Sequence, residues 1–314
     1  MKSAVAEPVV RSSPAGPAPR PSAFYQGTLW RAGLGLARVL PLGFSLAFTG
    51  ALARGYGRLH TRRRAVVVGN LLPWFDGNRA ESEAATDRLF LNFGRKLTDL
   101  MRFEAGLPLA RRFVALHDWE RFAAMHARGR GVLMLTPHLG NWEIGAPLLI
   151  ERGLSLLVIT QEEPAGDLTE LRRRSRERWG IETLVVGRDA FAFIEIIKRL
   201  EGGACVAMLI DRPPAPGAVP VTLAGRPFHA SVAPAELARA SGCSLAGVYI
   251  VEEGRGYEAH VLPEFAYDRR ALGQREERRR LAQRIMTGFE PVIRNYADQW
   301  YHFVPLWPPA PDPL

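Results

Sequence analysis

The chain has 314 residues, 47% of them hydrophobic and 23% charged, enough to bury a sizeable core without disulfide or metal staples. Its only cysteines, Cys205 and Cys243, lie in apolar runs, which argues against a disulfide framework or a thiolate metal site and favours a reducing compartment. The net charge of +9 and pI of about 10.1 suit an anionic partner such as phospholipid headgroups, phosphorylated glycolipids, an acidic carrier protein or nucleic acid, and composition does not choose among them.

Residues 1–22 are rich in Pro, Ala and Ser without apolar periodicity and read as a disordered tail. An apolar segment extends from Leu29 to Ala53, interrupted by Arg38 and Pro41. The uninterrupted part, Val39 to Ala53, reaches only about 22 Å as a helix, short of the roughly 30 Å hydrocarbon core of a bilayer. Snorkelling of Arg38 would recover a span, so a spanning helix, one lying at the membrane interface and an amphipathic helix buried in a soluble domain all remain open. The long proline-rich stretch before it argues against a cleaved signal peptide. The basic cluster Arg54, Arg58, Arg62, Arg63 and Arg64 puts that side of a membrane, and the rest of the chain after it, in the cytoplasm.

From about Val66 to Arg112 the pattern is helical, with apolar residues at Leu89, Phe90, Phe93, Leu97, Leu100 and Met101 at three- and four-residue spacing. The chain then changes character. Strands are predicted at 131–136, 154–160, 183–186, 205–210, 219–223, 244–251 and 257–262. Helices are predicted between them at 142–151, 168–179, 190–201 and 233–240. Such alternation indicates an α/β fold with helices on both faces of a sheet. There is no internal repeat. Residues 308–314 form a proline-rich end.

The stretch Thr136-Pro137-His138-Leu139-Gly140-Asn141-Trp142-Glu143 carries the clearest chemistry. A buried strand ends at Pro137, which blocks continuation of the ladder. Gly140 permits a tight turn, and Asn141 is a candidate N-cap for the next helix. His138 is thereby placed at the carboxyl end of a strand, where open α/β sheets bind ligands. Five helical residues rotate through about 500°, so His138 and Glu143 can meet only with the histidine in the turn and the glutamate in the first helical turn. Glu143 would then hold one imidazole nitrogen and leave the other to take a proton from an acceptor hydroxyl or amine. The helix N-terminus would favour negative charge developing on an ester or thioester oxygen.

Residues 116–143, with Asn70-Leu71-Leu72, the strand from Cys205 to Asp211, Leu223-Ala224-Gly225-Arg226-Pro227-Phe228, Ala235-Glu236-Leu237-Ala238 and a Gln299-Trp300 tract ending at Trp307, resemble the bacterial lipid A biosynthesis (lauroyl/myristoyl) acyltransferases. The resemblance covers roughly residues 28–307. It implies a single acyltransferase domain (65–307) with a mixed central sheet flanked by helices, preceded by a membrane-associated helix with a basic flank (23–64). It further implies His138 as general base oriented by Glu143, an acyl carrier protein thioester as donor, no metal or organic cofactor, and work at the cytoplasmic face of the bacterial inner membrane. Lipid A-acylating members typically end in a His-x-Arg-Phe-like tract, whereas this chain has Trp300-Tyr-His-Phe-Val-Pro-Leu-Trp307. The acceptor is therefore left as a lipid or glycolipid of undefined identity.

Further substrate contacts are expected at Asn141 in the turn and at Asp211, beside Arg212, at a strand end facing the same side as His138. Arg172 and Arg176 share one helix face at i, i+4, and arginine's fork suits phosphate. By position in the resemblance, Arg174 or Arg176 is the expected substrate contact. Arg226, next to the turn residue Gly225, is a further candidate for the cleft. His117, His126, His229, His260 and His302 show no metal-ligand spacing. No Gly-x-Ser-x-Gly elbow is present, which argues against a serine hydrolase. The scattered basic residues and lack of a recognition motif argue against nucleic-acid binding. A non-catalytic membrane-bound lipid-binding protein on the same fold is the competing class.

Overall fold

The computed structural model describes residues 27–109, 112–162, 166–187, 190–213, 217–254 and 256–307; the expected tails at 1–22 and 308–314 lie outside them. The N-terminal apolar segment forms α1 (Gly27–Val39) and α2 (Leu42–Leu59), broken at Pro41, which cannot donate a helical hydrogen bond. Then come α3 (Thr61–Leu71) and the long α4 (Arg79–Glu104), whose first turn is capped by Asn78 Oδ1, accepting from the Ala80 and Glu81 amides. No helix among the described residues is long and apolar enough to cross a membrane, so a spanning segment in that region is set aside. Trp30, Leu34 and Ala37 of α1 are buried, while Leu36, Val39, Phe44, Phe48 and Leu52 of α1, α2 and their junction are exposed.

The rest of the chain alternates strands and helices: β1 (Phe113–His117), α5 (Trp119–His126), β2 (Val132–Thr136), α6 (Ala146–Ile150), β3 (Leu156–Gln161), α7 (Gly166–Glu177), β4 (Glu182–Val186), α8 (Ala190–Glu201), β5 (Cys205–Leu209), β6 (Ala218–Leu223), β7 (Arg226–Ser231), α9 (Ala233–Ser241), β8 (Ser244–Glu253), β9 (Gly256–Val261) and α10 (Arg275–Asn295), with β1, α5, β7 and α10 added to those predicted. Seven strands form one sheet in the order β1-β9-β8-β2-β5-β3-β4, parallel throughout except for the β8–β9 pair. The expected mixed central sheet flanked by helices is present. Alternating residues of β2 feed opposite faces: Leu133 and Leu135 enter one apolar cluster with α9 and α10, and Val132 and Met134 another with α1, α5 and α7.

Three local expectations change. The 219–223 strand does not join the sheet but pairs with β7 as a separate antiparallel hairpin. Its two-residue turn is Ala224-Gly225, both at positive φ (48° and 69°), the backbone that a tight hairpin requires. The helix expected at 142–151 is a single 3₁₀ turn, Trp142–Ile144, followed by the five-residue α6 with Pro147 in its first turn, because Pro147 has no N–H to donate to Glu143 O as a continuous α-helix would require. Strand β1 falls where helix was expected to end; its half-buried, irregular pattern carries neither a period-two nor a helical signal.

Candidate active site

Parallel pairing of β2 with β5 sets the site. Thr136 lies opposite Leu209, an offset of 73 residues, so the same offset places His138 beside Asp211 just beyond the carboxyl ends of both strands. Open α/β sheets build ligand sites at such an edge. The intervening turn is fixed by its backbone. His138 O accepts from Tyr301 N (2.8 Å), Gly140 N donates to Gln299 O (2.8 Å), and Asn141 N donates to Ile250 O (2.9 Å). Gly140 has φ +59°, and a Cβ there would stand 1.7 Å from Ile250 O, so no side chain fits.

Asp211 is buried and accepts four N–H groups. His138 Nδ1 donates to Oδ1 at 2.6 Å, and Oδ2 takes the His138 amide (2.9 Å), Trp300 Nε1 (2.9 Å) and His302 Nε2 (2.8 Å). A carboxylate offers only acceptors, so the proton of His138 sits on Nδ1 and Nε2 keeps its lone pair. His302 is fixed likewise, since its Nδ1 accepts from Arg212 Nε at 3.1 Å. Burial alone would raise the Asp211 pKa, but the two histidines and their hydrogen bonds hold it well below the ordinary carboxylate range. Burial lowers both imidazoles in spite of Asp211, His302 down to about 4. At neutral pH the arrangement is therefore an anionic carboxylate between two neutral imidazoles.

The carboxylate against His138 is thus Asp211, and this corrects the expected His138–Glu143 pair. Glu143 does sit in the first turn after the loop, but no hydrogen bond joins it to His138 among the described residues. It is half-buried among cations instead, bonded to Arg172 and lying 3.6 Å from Lys96 Nζ and 3.8 Å from Arg176. Burial would raise its pKa, yet Arg172, Lys96 and Arg176 together bring it down to about 2. Lys96 lies 3.4 Å above the Trp142 ring, and Trp142 in turn meets the His138 ring edge-on at 5.2 Å. Burial, against the pull of Glu143, lowers Lys96 to about 8. The 3₁₀ turn and short α6 replace the expected helix N-terminus, so cationic side chains supply most of the positive field here.

The remaining expected contacts divide. Arg176 is half-buried beside Glu143, with Arg172 on the same face of α7, and both line the cavity described below. Arg174 points to solvent and pairs with Glu170 at 2.6 Å. Arg226 is exposed at the tip of the β6–β7 hairpin, away from the cavity. Asn141 occupies the N-cap position without capping; wholly buried, it donates to Tyr257 Oη (3.1 Å), which donates to Asp99. Its place is behind the turn. Lys96, Trp300 and His302 were missed as site residues, and Arg172 was noted only for sharing a helix face with Arg176. Lys96 left a trace as one of three lysines in an arginine-rich chain.

A cavity of about 980 Å³ is lined by His138, Trp142, Glu143 and Lys96 and by apolar side chains including Met134, Leu100 and Phe122. Its size and lining suit an elongated apolar ligand with a polar end. The trio of His138, Asp211 and His302 is close enough to hold an ion, but Asp211 Oδ2 already takes three N–H donors and His302 Nδ1 takes Arg212. These residues do not fit a metal.

The family description "bacterial lipid A biosynthesis acyltransferase" matches residues 21–308. The chain belongs to this family. It is also similar to a phosphatidylinositol mannoside acyltransferase of Mycobacterium tuberculosis, 27% identical over 182 residues, 58% of this chain and 56% of that protein. A protein of the same description from Mycolicibacterium smegmatis is 26% identical over 192 residues, 61% of this chain and 60% of that one. The chain thus spans a little over half the length of these acyltransferase relatives.

Proposed function

We propose that this family member transfers a fatty acyl group from an acyl carrier protein thioester to a hydroxyl or amine of a lipid or glycolipid acceptor. The observation that carries the reading is His138, its Nδ1 bonded to Asp211, lining a large and mainly apolar cavity together with Lys96, Arg172 and Arg176. His138 Nε2 takes the acceptor's proton as its oxygen attacks the thioester carbonyl carbon. Asp211 stabilises the imidazolium formed. The tetrahedral oxyanion develops near Lys96, the buried cation over Trp142. Collapse breaks the C–S bond, and the imidazolium returns the proton to the departing thiolate. Glu143 keeps Lys96, Arg172 and Arg176 gathered on one wall. These cations suit a phosphate, as on the donor's prosthetic arm or an anionic headgroup, and relatives named for phosphatidylinositol mannoside support a glycosylated phospholipid acceptor.

The exposed apolar row Leu36, Val39, Phe44, Phe48 and Leu52, followed by the Arg54–Arg64 cluster, supports a pair of helices lying in the interface of an anionic leaflet. With a cytosolic donor, the proposed place of action is the cytoplasmic face of the bacterial inner membrane. The test is incubation with radiolabelled acyl carrier protein thioesters and membrane lipids. The wild type labels a lipid and His138→Ala does not. Labelling by His138→Ala would overturn the mechanism, and lipid binding without transfer by the wild type would favour a non-catalytic lipid-binding protein.

A further inference from the structure

A second cluster lies at the far edge of the sheet, on β1 and β9. His117, the last residue of β1, stands in register with His260, and Ala115 stands opposite Glu258. Glu258 and His260 are two apart on β9 and so share a face, while Tyr257, Ala259 and Val261 on the other face are buried in the core. His117 Nε2 is 2.9 Å from Glu258 Oε2, and His260 Nε2 is 3.8 Å from the same oxygen. All three donor atoms lie within 4.8 Å of one another. Tetrahedral coordination with bonds of about 2.1 Å separates its donors by about 3.4 Å, a value between the two observed distances. His260 Nε2 is shielded from solvent without a hydrogen-bond partner among the described residues, an arrangement native proteins rarely leave uncompensated. The His260 ring is sandwiched between Tyr249, stacked at 4.5 Å, and His117, stacked at 4.4 Å, so His117 turns its ring to bring both lone pairs onto one ion. The His117 side chain is 44% exposed, which gives an ion a way in and the ring room to turn.

We propose that His117, Glu258 and His260 form a divalent transition-metal site of the zinc class, completed by water. Two imidazoles and one carboxylate select zinc and its neighbours over calcium or magnesium. The ion clips β1, which pairs only with β9 among the described residues, to the rest of the sheet. β1 leads into α5, whose Trp119 and Phe122 line the large cavity, so the clip also steadies that end of its wall. The site stands independently of the acyl-transfer reading.

The experiment titrates the chelator-stripped full chain with Zn²⁺ by calorimetry and with Co²⁺ by absorption. One saturable ion per chain is expected, with the intense visible bands of tetrahedral cobalt. His117→Gln and Glu258→Gln each weaken it by about ten-fold or more. His117→Gln alters an exposed side chain and keeps the fold, which circular dichroism verifies. Absence of saturable binding, unchanged affinity in His117→Gln, or a loss confined to His138→Ala would each overturn the proposal.

Discussion

Replacing Asp211 by Asn tests the proposed His138–Asp211 base without removing its volume. In the native site Oδ2 takes three N–H groups and Oδ1 takes one, from His138 Nδ1. The oxygen of an asparagine satisfies the three donors, which turns its amide NH₂ toward His138 Nδ1. That nitrogen must then accept, so the imidazole proton moves to Nε2, the atom proposed to receive the acceptor's proton. A wrong tautomer of this kind costs about 10⁴-fold in the corresponding serine protease triad, or about 5 kcal/mol of barrier. A loss of about 10³- to 10⁴-fold in acyl transfer is expected for Asp211→Asn, with the fold retained because three of the four hydrogen bonds survive. Nitrogen-15 NMR of the imidazoles reads the tautomer directly: the His138 proton sits on Nδ1 in the wild type and on Nε2 in the variant. Activity within about ten-fold of wild type, coupled with a large loss in Glu143→Gln, would refute the argument and return the orienting role to Glu143.

Burial keeps the His138 pKa below 6.5 and sets Lys96 at about 8, so kcat/KM rises with pH through a pKa below 6.5 and falls again near 8; Lys96→Arg, which stays charged, abolishes the alkaline limb alone. His302, held near 4 against 6.5 when unfolded, is a depressed histidine: the unfolded chain binds its proton first, so the contribution is fully present above pH 6.5 and is lost as pH falls toward 4. Urea unfolding at pH 7 and pH 5 is expected to differ by about 2 kcal/mol from this group, and a His302→Gln variant loses that part of the slope. Gly140→Ala meets Ile250 O at 1.7 Å from a positive φ and is expected to lose more than about 2 kcal/mol of stability, read as a lowered thermal midpoint together with lost activity.

Much of this architecture is visible in the sequence. The strands at 132–136, 156–161, 182–186, 205–209 and 244–253 are short apolar runs bounded by turns, and their alternation with helices dictates a sheet with two covered faces. His138 is legible because Pro137 and Gly140 bracket it. Its partner is not, since the nearest carboxylate in sequence, Glu143, differs from the nearest in space, and only the register between β2 and β5 separates the two. Lys96 is hidden for a related reason. Apolar periodicity identified the helix but carries no signal for a lone cation on its buried face, and its meaning depends on Trp142 and Glu143 arriving from the sheet. Arg174 and Arg226 were misplaced because a basic run or a residue beside a turn does not say which side faces solvent.

The 73-residue offset between β2 and β5 has a consequence for how the protein comes to life. No hairpin or local helix can bring His138 to Asp211; the two meet only after β3, α7, β4 and α8 have been laid down and β5 has slotted beside β2. Loop closure of that length makes the pairing a late, topologically demanding event. Trp300 and His302, which complete the shell of Asp211, come later still, from the last residues described. A nascent or partly refolded chain therefore holds an apolar groove before it holds the proposed base, and recovery of acyl transfer during refolding would report completion of the whole sheet.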